Sequence, residues 1–386
     1  MKKRITYLDL AKGFGIILVV LGHMENISSE LRIWISSFHM PLFFVISGML
    51  MSVKNEVGIA GEEVNLKLLT EKKAKGILVP YLWFSLIYIP IDIMNLFIEN
   101  VDKHTFIQNV LDSVTLSGVS VMWFLPALFI AEITSIIMIK KQGELVRKHI
   151  DNQAAVYGII LLEAFVLSIF TFRIWQGIRP VYEAGSGSYI VATVYGFIRV
   201  ILRGLCMSVH VVIGFVSFKL ITFAEKKLDG KLRKEDGTRG LALALGVILF
   251  VINMGLCLKN SAVDNHFLTL NNLLLYYMCA FLGSMAIIMI CKGLDTIPFI
   301  EFLGKNSLII MATHLQCYLL YAGILIAIAI DAYVTRAKSY VYMFNSVLFT
   351  MLFEVIVIFV INRFFPFVTG KKSIKETFQF LNKNIN

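Results

Sequence analysis

"YLDLAKGFGIILVVLGH" (Tyr7–His23) holds a lysine near its start and a histidine at its end. The ten residues between them, Gly13–Gly22, contain no ionisable side chain. Read as a helix, Lys12 and His23 are eleven residues apart, which is about 20° past three full turns, so both lie on one face. Their axial separation is roughly 16 Å, about half the hydrocarbon thickness of a bilayer. Asp9 stands one turn before Lys12 and is a candidate ion-pair partner.

The rest of the chain sets the surroundings of this segment. Of 386 residues, 58% are apolar and 16% charged, and the mean hydropathy is +0.76. Soluble domains run at about 25% charged residues. The excess comes in blocks of spanning length such as "LFFVISGML" and "VLFTMLFEVIVIFVI", and lipid admits such blocks as helices. The expected fold is all-α, a polytopic membrane protein with about ten transmembrane helices. The spans fall near Leu8–Ile27, Ser37–Val53, Ile77–Phe97, Val119–Ile139, Ala154–Phe172, Leu205–Leu220, Leu241–Cys257, Leu268–Cys291, Ser307–Ile330 and Val341–Ile361. The sixth apolar block begins at Ile190 and holds Arg199 and Arg203, so its first part reads as an outer re-entrant or interfacial helix. "EEVNLKLLTEKKAKGILVPY" reads as a surface helix along the inner interface.

Lysine and arginine set the orientation. With the N-terminus inside, 26 of the 36 fall in inner segments, so both termini are expected in the cytoplasm. The net charge of +10 then reflects topology and contact with anionic lipid, not nucleic-acid binding. No small-residue cleavage site follows the first apolar segment, which is expected to remain as a helix. Residues 1–386 read as one membrane domain without a soluble enzymatic unit. The cysteines show no metal-ligand spacing and no disulfide framework, so no metal site is expected.

Several polar residues at membrane depth are candidates for chemistry. A histidine facing lipid is costly, so His23 is expected to face the bundle interior, as a proton carrier or in an interhelical hydrogen bond. His39, in "SFHMPLFFVISGML", lies at the same outer level, just before Pro41 at a first-turn position. Lys12 is either a snorkelling anchor or a contact for an anion. Arg199 and Arg203 are four apart and need anionic partners, either a substrate or Glu132 or Glu163. His314 either lines a channel or bonds a neighbouring helix. Trp123 belongs to an interface belt or stacks on a sugar.

"YLDLAKGFGIILVVLGH" followed by "FHMPLFFVISGML" resembles the opening of the acyltransferase family 3 membrane enzymes. It is particularly similar to the branch related to fucose 4-O-acetylase and other surface-sugar O-acetyltransferases. "MWFLPALFIAE", "IRVILRG" before "VHVVIGFVSFK", and "FLGKNSLIIMATHLQCYLL" resemble later family segments in order, so the likeness covers nearly the whole chain. It implies a ten-helix enzyme of the cell membrane that moves an acyl group, usually acetyl, from cytosolic acyl-CoA to a hydroxyl of an extracytoplasmic glycan. Acetyl-CoA is then a donor substrate, and no cofactor is permanently bound. The family pattern has arginine, ten intervening residues, then the first-span histidine. Here the arginine's position is Lys12, which keeps the charge but lacks the bidentate fork.

On this reading His23 is the catalytic base and His39 assists it. Lys12, Lys305 and His314 contact the donor. Arg199, Arg203, Trp123 and Ser47 contact the acceptor. The partners expected are acyl-CoA, a carbohydrate and the lipid bilayer, with no nucleic acid, and a homo-oligomer is compatible with the sequence. The competing reading is a proton-linked transporter or flippase that uses the same histidines and arginines. A sensory or scaffolding domain fits less well, for want of a soluble output unit.

Overall fold

The computed structural model describes residues 5–25, 27–54, 56, 65–98, 100–142, 144–145, 148–150, 152–185, 187–228, 235–294, 296–331 and 339–377. These form helices α1 (Thr6–Gly22), α2 (Ser29–Val53), α3 (Leu66–Phe97), α4 (Lys103–Val114), α5 (Phe124–Ile137) and α6 (Gln153–Gly185). There follow α7 (Tyr189–Leu228), α8 (Glu235–Cys257), α9 (Leu273–Gly293), α10 (Pro298–Lys305), α11 (Ser307–Thr313), α12 (Leu319–Ile330) and α13 (Ser339–Phe364). Among the described residues, eight helices are long and apolar enough to cross a membrane. The protein is an all-α, multi-pass membrane protein.

Helix α2 is the central post. It packs on α7 and α9 and also touches α1, while α7 packs on α5 and α6. Two glycines set the α2–α7 spacing. A Cβ at Gly48 would run into the Val211 carbonyl, and one at Gly214 into the Val45 carbonyl. Small residues at such crossings let backbones approach where hydrophobic driving force between helices is absent. A second close crossing joins α1 to α10, where Gly304 faces the Asp9 carbonyl and Gly13 the Ile300 carbonyl.

Several boundaries differ from those read in the sequence. Helix α2 starts at Ser29, capped by Ser28 accepting from the Leu31 N–H at 3.2 Å. Pro41 is therefore inside the helix, not in its first turn. The expected surface helix is the first part of α3, with residues 62–64 outside the described residues. The sixth block is a single 40-residue helix, α7, with Arg199 and Arg203 inside it. Both arginines are buried within the protein. The segment Ser307–Ile330 is two helices, broken at residues 314–318, with Tyr318 at φ 60. Such a break at depth is tolerated where it is buried in protein. Helix α9 begins at Leu273, because residues 258–272 form a loop with Ser261, Leu268 and Asn271 at positive φ. The Asp264–Thr269 backbone pair and the Asn271 side chain, bonded to the Asn260 and Ala262 carbonyls, fix that loop.

Candidate active site

A cavity of about 640 Å³ opens between α1, α2, α3, α5 and the 258–272 loop. Lys12, Lys54 and Lys73 line it, as do His23, His39, Trp123 and His266. Ile16, Val19, Ile46, Leu128 and Met311 supply apolar wall. The face predicted for α1 is thus the cavity wall: Lys12, Ile16, Val19 and His23 follow one another along it at helical spacing.

His23 sits at the C-cap of α1, just past the last helical residue. Its Nδ1 is 2.8 Å from the Val19 carbonyl, which accepts only an N–H. That bond assigns the proton to Nδ1 and leaves the Nε2 lone pair as the basic site. The end of α1 is tied down by Arg32, which donates to the carbonyls of Gly22, Met24 and Glu25 at 3.2, 2.9 and 3.3 Å. A cation there also suits the negative end of the helix dipole. His39 repeats the arrangement on α2, its Nδ1 2.7 Å from the Ile35 carbonyl. Two imidazoles with the same tautomer therefore line one cavity.

His314 does not line the cavity. It is fully buried at the end of α11, with Nδ1 2.8 Å from the Ile310 carbonyl and Nε2 3.4 Å from His23 Nδ1. Its acceptor nitrogen thus faces the proton-bearing nitrogen of His23. An imidazolium formed on His23 by taking up a proton at Nε2 is met by that lone pair. His314 thus bonds a neighbouring helix through His23, one of the two readings open from the sequence.

The lysine end is a closed ion-pair network. Lys12 Nζ is 2.7 Å from Asp9 Oδ1. Lys73, on the first turns of α3, bridges Glu56 at 2.8 Å and Glu132 of α5 at 3.0 Å. Ser47 donates its hydroxyl to Glu132. Lys54 approaches Glu56 at 3.9 Å. The Lys73 and Lys54 charges outweigh the effect of burial on Glu56 and hold its carboxyl below the usual range.

A family model for the acyltransferase 3 group, described as an acyltransferase domain, matches residues 5–363. The chain belongs to this acyltransferase family. No curated protein and no solved structure matches it.

Within the acyltransferase, the candidate residues divide by position. Lys12, His23, His39, Ser47 and Trp123 line the one cavity. Lys305 does not. It is on α10 and pairs with Glu301 at 3.3 Å, one helical turn back. Arg199 and Arg203 stand behind the cavity wall, with the Arg203 guanidinium 4.8 Å from the Trp123 ring centre. Neither pairs with Glu132, which is taken by Lys73 and Ser47. Trp123 is 8% exposed and belongs to the cavity wall, not to an interface belt.

Lys73 and the 264–266 tripeptide line the cavity and Arg32 ties down the end of α1, and the sequence reading singled out none of them; Glu132 it named only as a partner for the arginines. Lys73 looked like one of several lysines on a surface helix. The signal available was Glu132, an acid inside an apolar span, which requires a cationic partner somewhere.

Proposed function

We propose that this acyltransferase moves an acetyl group from acetyl-CoA to a hydroxyl of an extracytoplasmic or lipid-linked carbohydrate, with His23 as general base. One observation carries the reading: a single cavity has Lys12, Lys54 and Lys73 at its wall and, along α1 and α2, two histidines whose Nδ1 atoms both bond the carbonyl four residues back. The lysines suit the phosphates of the donor nucleotide. The apolar wall suits a pantetheine arm, whose extended length of roughly 15–20 Å matches the Lys12–His23 rise.

The step follows from the tautomer. The acceptor hydroxyl oxygen attacks the thioester carbonyl carbon while His23 Nε2 takes its proton. The carbonyl electrons move onto oxygen, and the tetrahedral oxyanion then collapses. The C–S bond breaks, the ester forms, and the proton on His23 passes to the departing sulfur. His39 Nε2 assists by orienting the acceptor hydroxyl, or by donating to the oxyanion once protonated. His314, behind His23, keeps the ring in the productive orientation. Trp123 lines the acceptor's end of the cavity, while Ser47, bonded to Glu132, stands at the lysine end. The lysine end is the cytoplasmic side in this reading, and the host membrane is the cell membrane.

The test uses the purified full-length protein in proteoliposomes, with radiolabelled acetyl-CoA and a surface-glycan extract as acceptor. Label is expected on the glycan, and His23→Ala, checked for folding, is expected to lose on the order of 10²–10⁴-fold in transfer. Full transfer by that variant overturns the assignment of the base. Net solute flux without acyl-CoA, with no label transferred, supports a proton-linked transporter or flippase instead.

A further inference from the structure

Three neighbouring residues carry six buried nitrogens without a hydrogen-bond partner: Nε, Nη1 and Nη2 of Arg203, Nε and Nη1 of Arg199, and Nε2 of His266. Arg203 is 0% exposed and Arg199 4%. Among the described residues neither arginine makes a salt bridge. Guanidinium stays charged at any physiological pH, and a buried charge without an oxygen partner is costly.

The rings around them offset only part of that cost. Arg203 lies against Trp123, and Arg199 lies 4.6 Å from the Phe267 ring centre and 5.2 Å from that of Tyr182. Such contacts favour a cation but accept no N–H. The carboxylates within electrostatic reach, Asp264 and Asp112, form no salt bridge with either arginine among the described residues, and each has an oxygen engaged by another partner. Asp264 Oδ1 accepts from the His266 and Phe267 N–H groups at 2.7 and 3.3 Å. Asp112 Oδ1 accepts from Gln108 at 3.1 Å. Burial, and next the charges of Arg203 and Arg199, hold His266 far below the usual histidine range, so it adds no third cation.

The cluster borders the cavity. Trp123 and His266 stack at 5.5 Å and 12° and both line it, and Trp123 is the ring that Arg203 lies against. We propose that Arg203 and Arg199 form an oxyanion subsite at this end of the cavity, so that the acceptor is an acidic one, bearing a phosphate or carboxylate group. Two planar forks match the paired oxygens of either group, and Trp123 is a ring face for the attached sugar. The inference rests on the acyl-transfer reading for the identity of the guest as acceptor. The subsite itself rests only on the unpartnered arginines.

The test is thermal unfolding of the full-length protein in nanodiscs at constant ionic strength. Coenzyme A is present throughout, so that the lysine end is occupied, and its own shift in Tm is recorded first. Inorganic phosphate and glucuronate are then titrated against chloride. A saturable rise in Tm with either is expected for the wild type and absent in Arg203→Met. A rise with phosphate alone assigns a phosphate-bearing acceptor, one with glucuronate alone an acidic sugar, and one with both an oxyanion site common to the two. Without added anion, Arg203→Met is expected to melt at or above the wild-type Tm, because it removes an unpaired buried charge.

No rise with either anion, an equal rise in the variant, or a variant that melts well below wild type makes the arginine structural and overturns the subsite. If Arg203→Met is not recovered folded, Arg203→Lys is measured. It keeps the charge but not the fork and is expected to give a weaker anion response, whereas an undiminished one overturns the proposal. Failure of the acyl-transfer reading appears separately, as the absence of a coenzyme A shift.

Discussion

The lysine and arginine clusters at the cavity are built on opposite plans. At the first, every cation has its carboxylate: Lys12 with Asp9, and Lys73 with Glu56 and Glu132. At the second, two guanidiniums have only aromatic faces and distant acids. A paired site is stable when empty and must exchange partners to take up an anion. An unpaired site is strained when empty and is relieved by one. The same elementary charge thus does two jobs, and the difference lies in which partners the fold supplies.

The sharpest way to break this comparison is to remove one cation from each cluster. Lys73→Met leaves the Glu132 carboxylate buried without a cation, which is expected to cost about 3–5 kcal/mol, whereas Glu56 keeps Lys72 at 3.1 Å. The variant should unfold at least several degrees below wild type in a thermal scan. Adding Glu132→Gln should recover most of that loss. Arg203→Met shows no such loss if the two plans are as described.

A smaller effect separates ion pairing from binding. Glu132→Gln frees Lys73 from one competing carboxylate, so the KM for acetyl-CoA is expected to fall about threefold to tenfold. That gain should shrink as salt is raised, because the lysine end is the more accessible of the two. An unchanged KM would mean that Lys73 does not meet the donor. Smaller again is Lys12→Arg, which supplies the fork absent from this position. Donor KM is expected to drop about twofold to threefold with kcat unchanged, since the contact serves binding and transition state equally.

The smallest expected effect is on pH dependence. The Glu56 carboxyl is held below its unfolded range, so its contribution is fully present above the unfolded pKa. It is lost as pH falls through the lower folded value. Tm followed from neutral to acid pH should therefore fall less steeply in Glu56→Gln than in wild type. Parallel curves would mean that the Glu56 charge adds nothing to stability through the lysine-end ion pairs.

The two clusters also differ in how far sequence reveals them. Lys12 and His23 are legible because one helix carries both, and the 3.6-residue period fixes their common face. His39, Ser47 and Trp123 flank apolar runs whose membrane depth could be read, and they reach the same cavity. The fold class was legible for the same reason, as apolar blocks of spanning length. The Lys73–Glu132 bridge joins α3 to α5, and the His23–His314 contact joins residues 291 apart. No local period encodes such pairs. His266 reaches the cavity on a loop shaped by three left-handed residues, and helical spacing, which began the corresponding span at Leu268, gave no reason to place it there. Lys305 lies off the cavity, one turn of α10 from Glu301, a pairing that its place on a separate helix hid from the sequence reading.

The apolar stretch of the cavity wall has a bioenergetic consequence. A channel reaching from lysines to histidines inside a membrane would short-circuit a proton gradient if a continuous file of water filled it. Ile16, Val19, Ile46, Leu128 and Met311 offer that file no polar side chain to hold it, and apolar constrictions in channels block ions by dewetting. On the proposed acyl-CoA reading, a thin and largely apolar pantetheine arm slides where hydronium does not. One greasy lining would then both admit the donor arm and insulate the membrane.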